Sequence, residues 1–220
     1  MDVCQAVITA NLGGIDSFGK HCSQNVGFDD IKITEDILPP RLGLTPRLQA
    51  KIPKCFAWQL YPKYDYYLWL DGNITLANPT ALEYFQEQIQ DHDIVVLRHP
   101  DRPNIRQEVR YTRKGVNQQS RYMVNRYTGE QYEEFYKLVR KDKKYIDDLL
   151  VIGGVFMYRN TPEVQAMFKE WWYYITRYCI QDQISFPYVL KKSGLRIKVL
   201  EHDFANWNYI KITRHKLRDI

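Results

Sequence analysis

Asp71 directly follows the apolar stretch Tyr66-Tyr67-Leu68-Trp69-Leu70, and Gly72 and Asn73 come immediately after it. A carboxylate, a residue without a side chain and an amide oxygen, in that order, suit a divalent cation. Mg²⁺ and Mn²⁺ take oxygen ligands, and glycine permits close backbone approach. The same three residue types also favour a tight turn. Arg47 and Lys51 are four residues apart in a helical pattern and so share a face. They read either as a cationic partner for phosphate oxygens or as a solvated helix face. Arg98-His99-Pro100-Asp101-Arg102 follows another apolar run, and His99 and Arg102 suit contact with phosphate or with a second substrate.

These residues need strands to carry them to one edge of a sheet. Gln5 to Ala10, Phe28 to Thr34, Tyr66 to Leu70, Ile94 to Leu97, Leu149 to Tyr158 and Ile197 to Leu200 all read as strands. Helices are expected between them. One starts near Arg47 and buries Leu48, Ile52, Cys55 and Phe56, and a second is announced by Asn78-Pro79. A third runs from about Glu130 to Lys141, a long fourth follows Thr161-Pro162, and a short fifth spans Asp182 to Leu190. The stretch before Glu130 has weak periodicity and reads as a loop or flap. Alternation of this kind gives an α/β fold with a mainly parallel sheet covered on both faces, and ligands gather beyond the carboxyl ends of the strands.

The chain has 220 residues, 45% of them hydrophobic, which suits one domain. It ends at Lys216-Leu217-Arg218-Asp219-Ile220 without an evident terminal element, as one domain of a longer enzyme would. No apolar run approaches the roughly 20 residues needed to span a bilayer. Cys4, Cys22, Cys55 and Cys179 are widely spaced, without a metal-type pattern. They read as thiols in a cytoplasmic setting. The net charge of +5 favours an anionic ligand. Span 106–127 interleaves arginine and tyrosine, and its alternative reading is a single-stranded nucleic-acid-binding module. No nucleic-acid-binding motif accompanies it, so no nucleic-acid partner is expected.

Four stretches together resemble the GT-A glycosyltransferases, in particular the glycosyltransferase-like family that includes plant cell-wall and turgor proteins. They are Ile8-Thr9-Ala10-Asn11-Leu12-Gly13-Gly14-Ile15-Asp16, Tyr67-Leu68-Trp69-Leu70-Asp71-Gly72-Asn73, Arg98 to Arg102, and Asp182-Gln183-Ile184-Ser185-Phe186-Pro187-Tyr188. The last is the most specific. The resemblance implies a single GT-A domain over 1–220 that moves a hexose from a nucleotide sugar, a UDP-sugar, to a glycan or glycoconjugate hydroxyl. A catalytically inactive glycan-binding domain is the alternative, because Asn73 stands where GT-A enzymes usually carry a second aspartate.

The resemblance also implies roles. Thr9, Asn11 and Asp36 are expected near the base and ribose, and Arg47 and Lys51 near the diphosphate. Asp71, Asn73 and His202 are expected on Mn²⁺ or Mg²⁺; His202 is similar in placement to the late metal-binding histidine of glycogenin-like enzymes, with Asp203 as alternative. Asp182 is the first candidate for the proton-accepting carboxylate or for the polar group beneath the anomeric carbon, and it also reads as a helix cap. Asp148, with Asp147 beside it, is the reserve. Gly153-Gly154 leaves room for a sugar against the backbone or marks a β-bulge.

Overall fold

The computed structural model describes residues 4–202 and 207–213. Strand β1 (Gln5–Ala10) leads through a loop to β2 (Asp29–Ile33) and helix α1 (Pro46–Leu60). Next come β3 (Tyr66–Asp71), β4 (Ile74–Leu76), α2 (Ala81–Ile89) and β5 (Ile94–Arg98). Three helices follow, α3 (Ile105–Asn117), α4 (Arg121–Tyr127) and α5 (Tyr132–Lys141). The chain then runs through β6 (Val151–Arg159), α6 (Pro162–Arg177), α7 (Asp182–Lys192), β7 (Ile197–Leu200) and β8 (Ile210–Ile212).

Six strands form one sheet in the order β2-β1-β3-β6-β5-β7, and β4 pairs with β8 in a separate ribbon. β1 is parallel to β2 and β3, and β5 is parallel to β7, while β6 runs antiparallel to both its neighbours. The expected mainly parallel sheet is present, with β6 as its reversed member.

Each strand alternates its side chains between two cores, as the two-residue period requires. Ala6, Ile8, Tyr67, Trp69, Phe156 and Tyr158 pack toward α1 and α6. Val7, Leu68, Leu70, Val155 and Met157 pack toward α2 and the β4–β8 ribbon. Asp71 therefore emerges on the face of Trp69, toward α1. In α6, capped by Thr161, the buried positions Val164, Phe168, Trp171 and Ile175 are those the helical spacing predicts. Each such side chain contributes about 1.5–3 kcal/mol.

Several expectations need correction. Asn78-Pro79 does not begin a helix: the Asn78 side chain accepts from the Thr80 amide, and α2 starts at Ala81. The span before Glu130 is not a loop but contains α3 and α4. Its pattern is obscured because the stripe Ile105, Glu108, Val109 and Thr112 is buried although two of its members are polar. In α1 the core face is Gln49, Pro53, Lys54, Cys55 and Ala57, with Leu48 and Phe56 only partly buried. Pro53 removes a helical donor, and the backbone leaves helical geometry at Phe56 (φ −129°, ψ 26°). All four cysteines are free thiols, and among the described residues no helix is long and apolar enough to cross a membrane.

Candidate active site

A cavity of about 430 Å³ opens beyond the carboxyl ends of β1 and β3, whose last residues Ala10 and Asp71 are register partners. The loop after β1 forms one wall. The Asn11 side chain fastens this loop, donating to the Asp16 carbonyl at 2.7 Å and accepting from the Asp16 amide at 3.0 Å. Gly72 forms part of the floor. A Cβ there would stand 3.0 Å from both the Ala10 carbonyl oxygen and an Asp16 carboxylate oxygen, so the close approach requires glycine.

On the floor, Lys54 is 1% exposed and its ammonium bridges two carboxylates, Asp71 Oδ1 at 3.0 Å and Asp182 Oδ2 at 2.6 Å. Lys51 reaches the same Asp182 oxygen at 2.6 Å, and the Trp69 indole N–H donates to Asp71 Oδ1 at 2.8 Å. The Lys54 ammonium also lies within 6 Å of the Trp69 and Trp171 rings, at 5.5 and 5.9 Å from their centroids. Burial alone would discharge Lys54, but Asp182 and then Asp71 outweigh it and hold the ammonium charged. Burial likewise opposes ionisation of Asp182, yet Lys51 and Lys54 keep its carboxyl well below the usual range. Asp182 is thus a fixed negative charge and a poor proton acceptor at neutral pH.

The glycine pair of β6 makes room for these carboxylates. A Cβ on Gly153 would come within 3.1 Å of Asp182 Oδ1, and one on Gly154 within 3.1 Å of Asp71 Oδ2. Both glycines are buried behind the carboxylates and do not line the cavity. The β5–β6 register shifts across the same segment, between Val96 and Arg98, so the bulge reading also has a structural counterpart.

The opposite wall is a polar network on α3 and the start of α7. Glu108, 1% exposed, accepts from Arg102 Nε, from Gln181 at 2.5 Å and from Gln183 at 3.2 Å, and Thr112 donates to Gln181 at 2.8 Å. Burial pushes the Glu108 carboxyl up despite the Arg102 charge. His99 Nδ1 accepts from the amides of Asp101 and Arg102, both at 3.1 Å. Burial, reinforced by Arg102, lowers its pKa to about 4, so the ring is neutral at pH 7.

Five cations and four carboxylates line the cavity, and the lysines and Arg102 are paired within it. Arg47 and Arg126 have no carboxylate partner among the described residues, and Arg47 Nη2 and Arg126 Nε are buried without a hydrogen-bond acceptor. Burial, then the Arg126 charge, lowers the Arg47 pKa. Two half-buried guanidinium groups, each with one buried nitrogen lacking an acceptor, form a site that an anion would stabilise.

The structure therefore gathers Asn11, Arg47, Lys51, Asp71 and Asp182 around one cavity. Other candidates lie elsewhere. Thr9 lines no part of it and sits 2% exposed within β1. Asp36 is exposed, accepting from the Thr34 hydroxyl at 3.4 Å. Asp148 pairs with Lys191 at 2.6 Å outside the cavity, because it precedes β6 on the α7 side. Asp147 accepts from the amides of Ile105 and Arg106 at 2.9 and 3.0 Å and caps the start of α3. Lys54, Arg126 and Glu108 are the residues sequence reasoning passed over.

The anticipated metal ligands do not converge. Asp71 has one oxygen on Lys54 and Trp69, and the Asn73 amide donates to the Thr213 carbonyl at 2.8 Å. The His202 ring packs 5.1 Å from Trp207, and neither Asn73 nor His202 lines the cavity. Asp203 lies outside the described residues. Among the described residues no three His, Cys, Asp or Glu side chains come together as a metal site. A dication held by Asp71 would share that carboxylate with the Lys54 ammonium, 3.0 Å from Asp71 Oδ1, whose like charge opposes it. Among the described residues the side chains around Asp71 do not fit a resident divalent metal.

The profile of the TOD1/MUCI70 glycosyltransferase-like domain matches residues 42–216. The chain belongs to this family. The TOD1/MUCI70 match takes in α1, Asp71, the α3–α4 wall and Asp182, while β1 and the loop that forms the remaining wall lie outside it. No curated protein matches the sequence. Among solved structures, the bifunctional glycosyltransferase WbbM superposes with a TM-score of 0.52 at 12% identity, over 91% of this chain and 39% of that one. A glycosyltransferase involved in glycosylation of the PBCV-1 major capsid aligns at TM-score 0.47 and 10% identity, over 90% and 82% of the two chains. Mouse xyloside xylosyltransferase 1 aligns at 0.47 and 12%, over 91% and 85%. The chain is thus a TOD1/MUCI70 glycosyltransferase-like domain whose fold is similar to that of WbbM.

Proposed function

We propose that the domain transfers a hexose from a nucleotide sugar, a UDP-sugar, to a hydroxyl of a glycan or glycoconjugate. The observation that carries this reading is the pair of guanidiniums without a carboxylate, Arg47 and Arg126, each with a buried nitrogen lacking an acceptor, in a cavity at the carboxyl ends of β1 and β3. A diphosphate satisfies their buried donors and relieves their repulsion, and charge developing on the leaving diphosphate is stabilised by the same groups. The loop held by Asn11 and Asp16 offers the neighbouring space to the nucleoside.

Asp182, kept ionised by its lysines, supplies negative charge where an oxocarbenium-like sugar needs it. The rings of Tyr111 and Tyr122, stacked on Arg102 and Arg126 at 4.3 and 4.0 Å, line the opposite wall and suit the apolar faces of an acceptor sugar. Of the Arg/Tyr-rich span read from sequence, Tyr111, Tyr122, Arg126 and Tyr127 line the cavity, while Arg106, Arg110, Arg113 and Arg121 are exposed outside it.

The test is incubation with a panel of nucleotide hexoses, following nucleoside diphosphate release and thermal stabilisation. Stabilisation by UDP and slow UDP-sugar hydrolysis are expected, and Asp71→Ala abolishes turnover while the protein remains folded. No response to any nucleotide sugar would overturn the reading.

A further inference from the structure

We propose that Lys54 stands in the place of a divalent cation at the strand-end carboxylate, so that the donor's diphosphate meets lysine and arginine charges and no metal. The inference rests on the glycosyl-transfer reading above and concerns how the same site handles charge. Lys54 belongs to an amphipathic helix, yet it is the most deeply buried lysine of the cavity, at 1% exposure on its floor, with its ammonium engaged by two carboxylates. It is a positioning residue that acts through Asp71 and Asp182.

Three observations converge on this assignment. The Lys54 ammonium is within 3.0 Å of Asp71 Oδ1 and 2.6 Å of Asp182 Oδ2, the two carboxylates nearest the site where a cation would bridge strand end and helix start. The cavity already holds surplus positive charge, because Lys51 shares Asp182 with Lys54 while Arg47 and Arg126 have no carboxylate. Asn73, which follows Asp71 by two residues, spends its amide on Thr213 and does not face the cavity. An internal ammonium on a helix and two free guanidiniums therefore supply what a dication and its ligand set would supply. Neutralising the leaving diphosphate falls to Arg47, Arg126 and Lys51, which line the cavity.

The experiment uses the full chain and begins without nucleotide. Mn²⁺ is titrated into wild type, Asp71→Asn, Lys54→Met and Lys54→Met/Asp71→Asn, with free Mn²⁺ read by electron paramagnetic resonance. Wild type should show no Mn²⁺ site that depends on Asp71. Lys54→Met, with buried Asp182 and half-exposed Asp71 left short of a cation, should bind Mn²⁺ at least about tenfold more tightly than wild type, and Asp71→Asn should remove that gain. A role for Lys54 confined to stability would not create a metal site. Wild type that already holds Mn²⁺ through Asp71, or folded Lys54→Met that gains none, overturns the proposal. If Lys54→Met does not fold, the comparison of wild type with Asp71→Asn decides alone. A second arm measures UDP binding to wild type by calorimetry in EDTA and in Mn²⁺. Affinities within about threefold support the proposal, and loss of binding in EDTA overturns it. Failure of UDP to bind under either condition counts against the glycosyl-transfer reading and leaves the metal titration to stand on its own.

Discussion

Replacing Asp182 by asparagine tests whether the buried charge cluster is held as tightly as its geometry requires. The carboxylate is 7% exposed and receives two ammonium groups at 2.6 Å. At an effective dielectric near 20 each contact represents about 6 kcal/mol of gross attraction, much of which offsets desolvation. Removing one member of such a cluster leaves Lys54 buried with Asp71 alone, and the expected net loss is about 3–5 kcal/mol. That corresponds to a fall in Tm of roughly 10 °C for a chain of this size. The pH dependence has a defined sign. Because the folded carboxyl is held below its unfolded value, its contribution is fully present at pH 7 and fades as pH falls below about 4 toward the folded value. Chemical denaturation of Asp182→Asn against wild type at pH 7, with Lys54→Met and the double variant completing a cycle, measures both the loss and the Lys54–Asp182 coupling. A loss under about 1 kcal/mol, the range of a surface ion pair, would refute the reasoning.

Three other outcomes are expected. His99, with its pKa lowered to about 4 from an unfolded value near 6.5, makes stability fall as pH drops between those values, by about 3 kcal/mol in all; His99→Asn, which keeps an acceptor for the two amides, should flatten that stretch of a pH–stability curve. Gly153→Ala pushes a methyl group to 3.1 Å from Asp182 Oδ1, whose partner oxygen is fixed by two lysines, so turnover should fall about tenfold with a stability loss of about 1 kcal/mol. Unchanged steady-state rates would show that the carboxylate has room to yield. Arg47→Ala and Arg126→Ala should each weaken UDP binding by about 2 kcal/mol, measured by calorimetry, with a smaller joint loss than the two added together because each relieves the other's repulsion.

Most strands of the sheet were legible as apolar runs ended by turn or polar residues, and β2, Asp29–Ile33, as an alternating one. Gln5 to Ala10 matches β1 residue for residue. Helix α6 was legible from Thr161-Pro162 and a regular apolar stripe. Helices α3 and α4 were not, since Glu108 and Thr112 occupy buried positions that a hydrophobicity reading assigns to solvent. Lys54 was missed for the same reason, although Arg47, Lys51 and Lys54 lie at i, i+4 and i+7 and form one stripe that periodicity can find. No local pattern reveals that Asp182, more than a hundred residues downstream, returns to this stripe. That contact depends on the packing of α6 and α7 against the sheet. The reversal of β6 was equally silent, because a buried strand reads alike in either direction.

The hydrogen bonds between Asn73 and Thr213 give the short β8 strand a reach beyond its size. The Asn73 amide donates to Thr213, and the Asn73 carbonyl accepts from the Thr213 amide and hydroxyl at 2.8 and 3.0 Å, so the late chain is tied two residues from Asp71. Strand β8 is three residues long and mostly solvent-facing, the kind of element that opens at little cost. Each opening releases the turn that carries Asp71 from one of its anchors. The anchoring of the Asp71 turn is thus shared between the sheet and a strand that enters from the far end of the sequence.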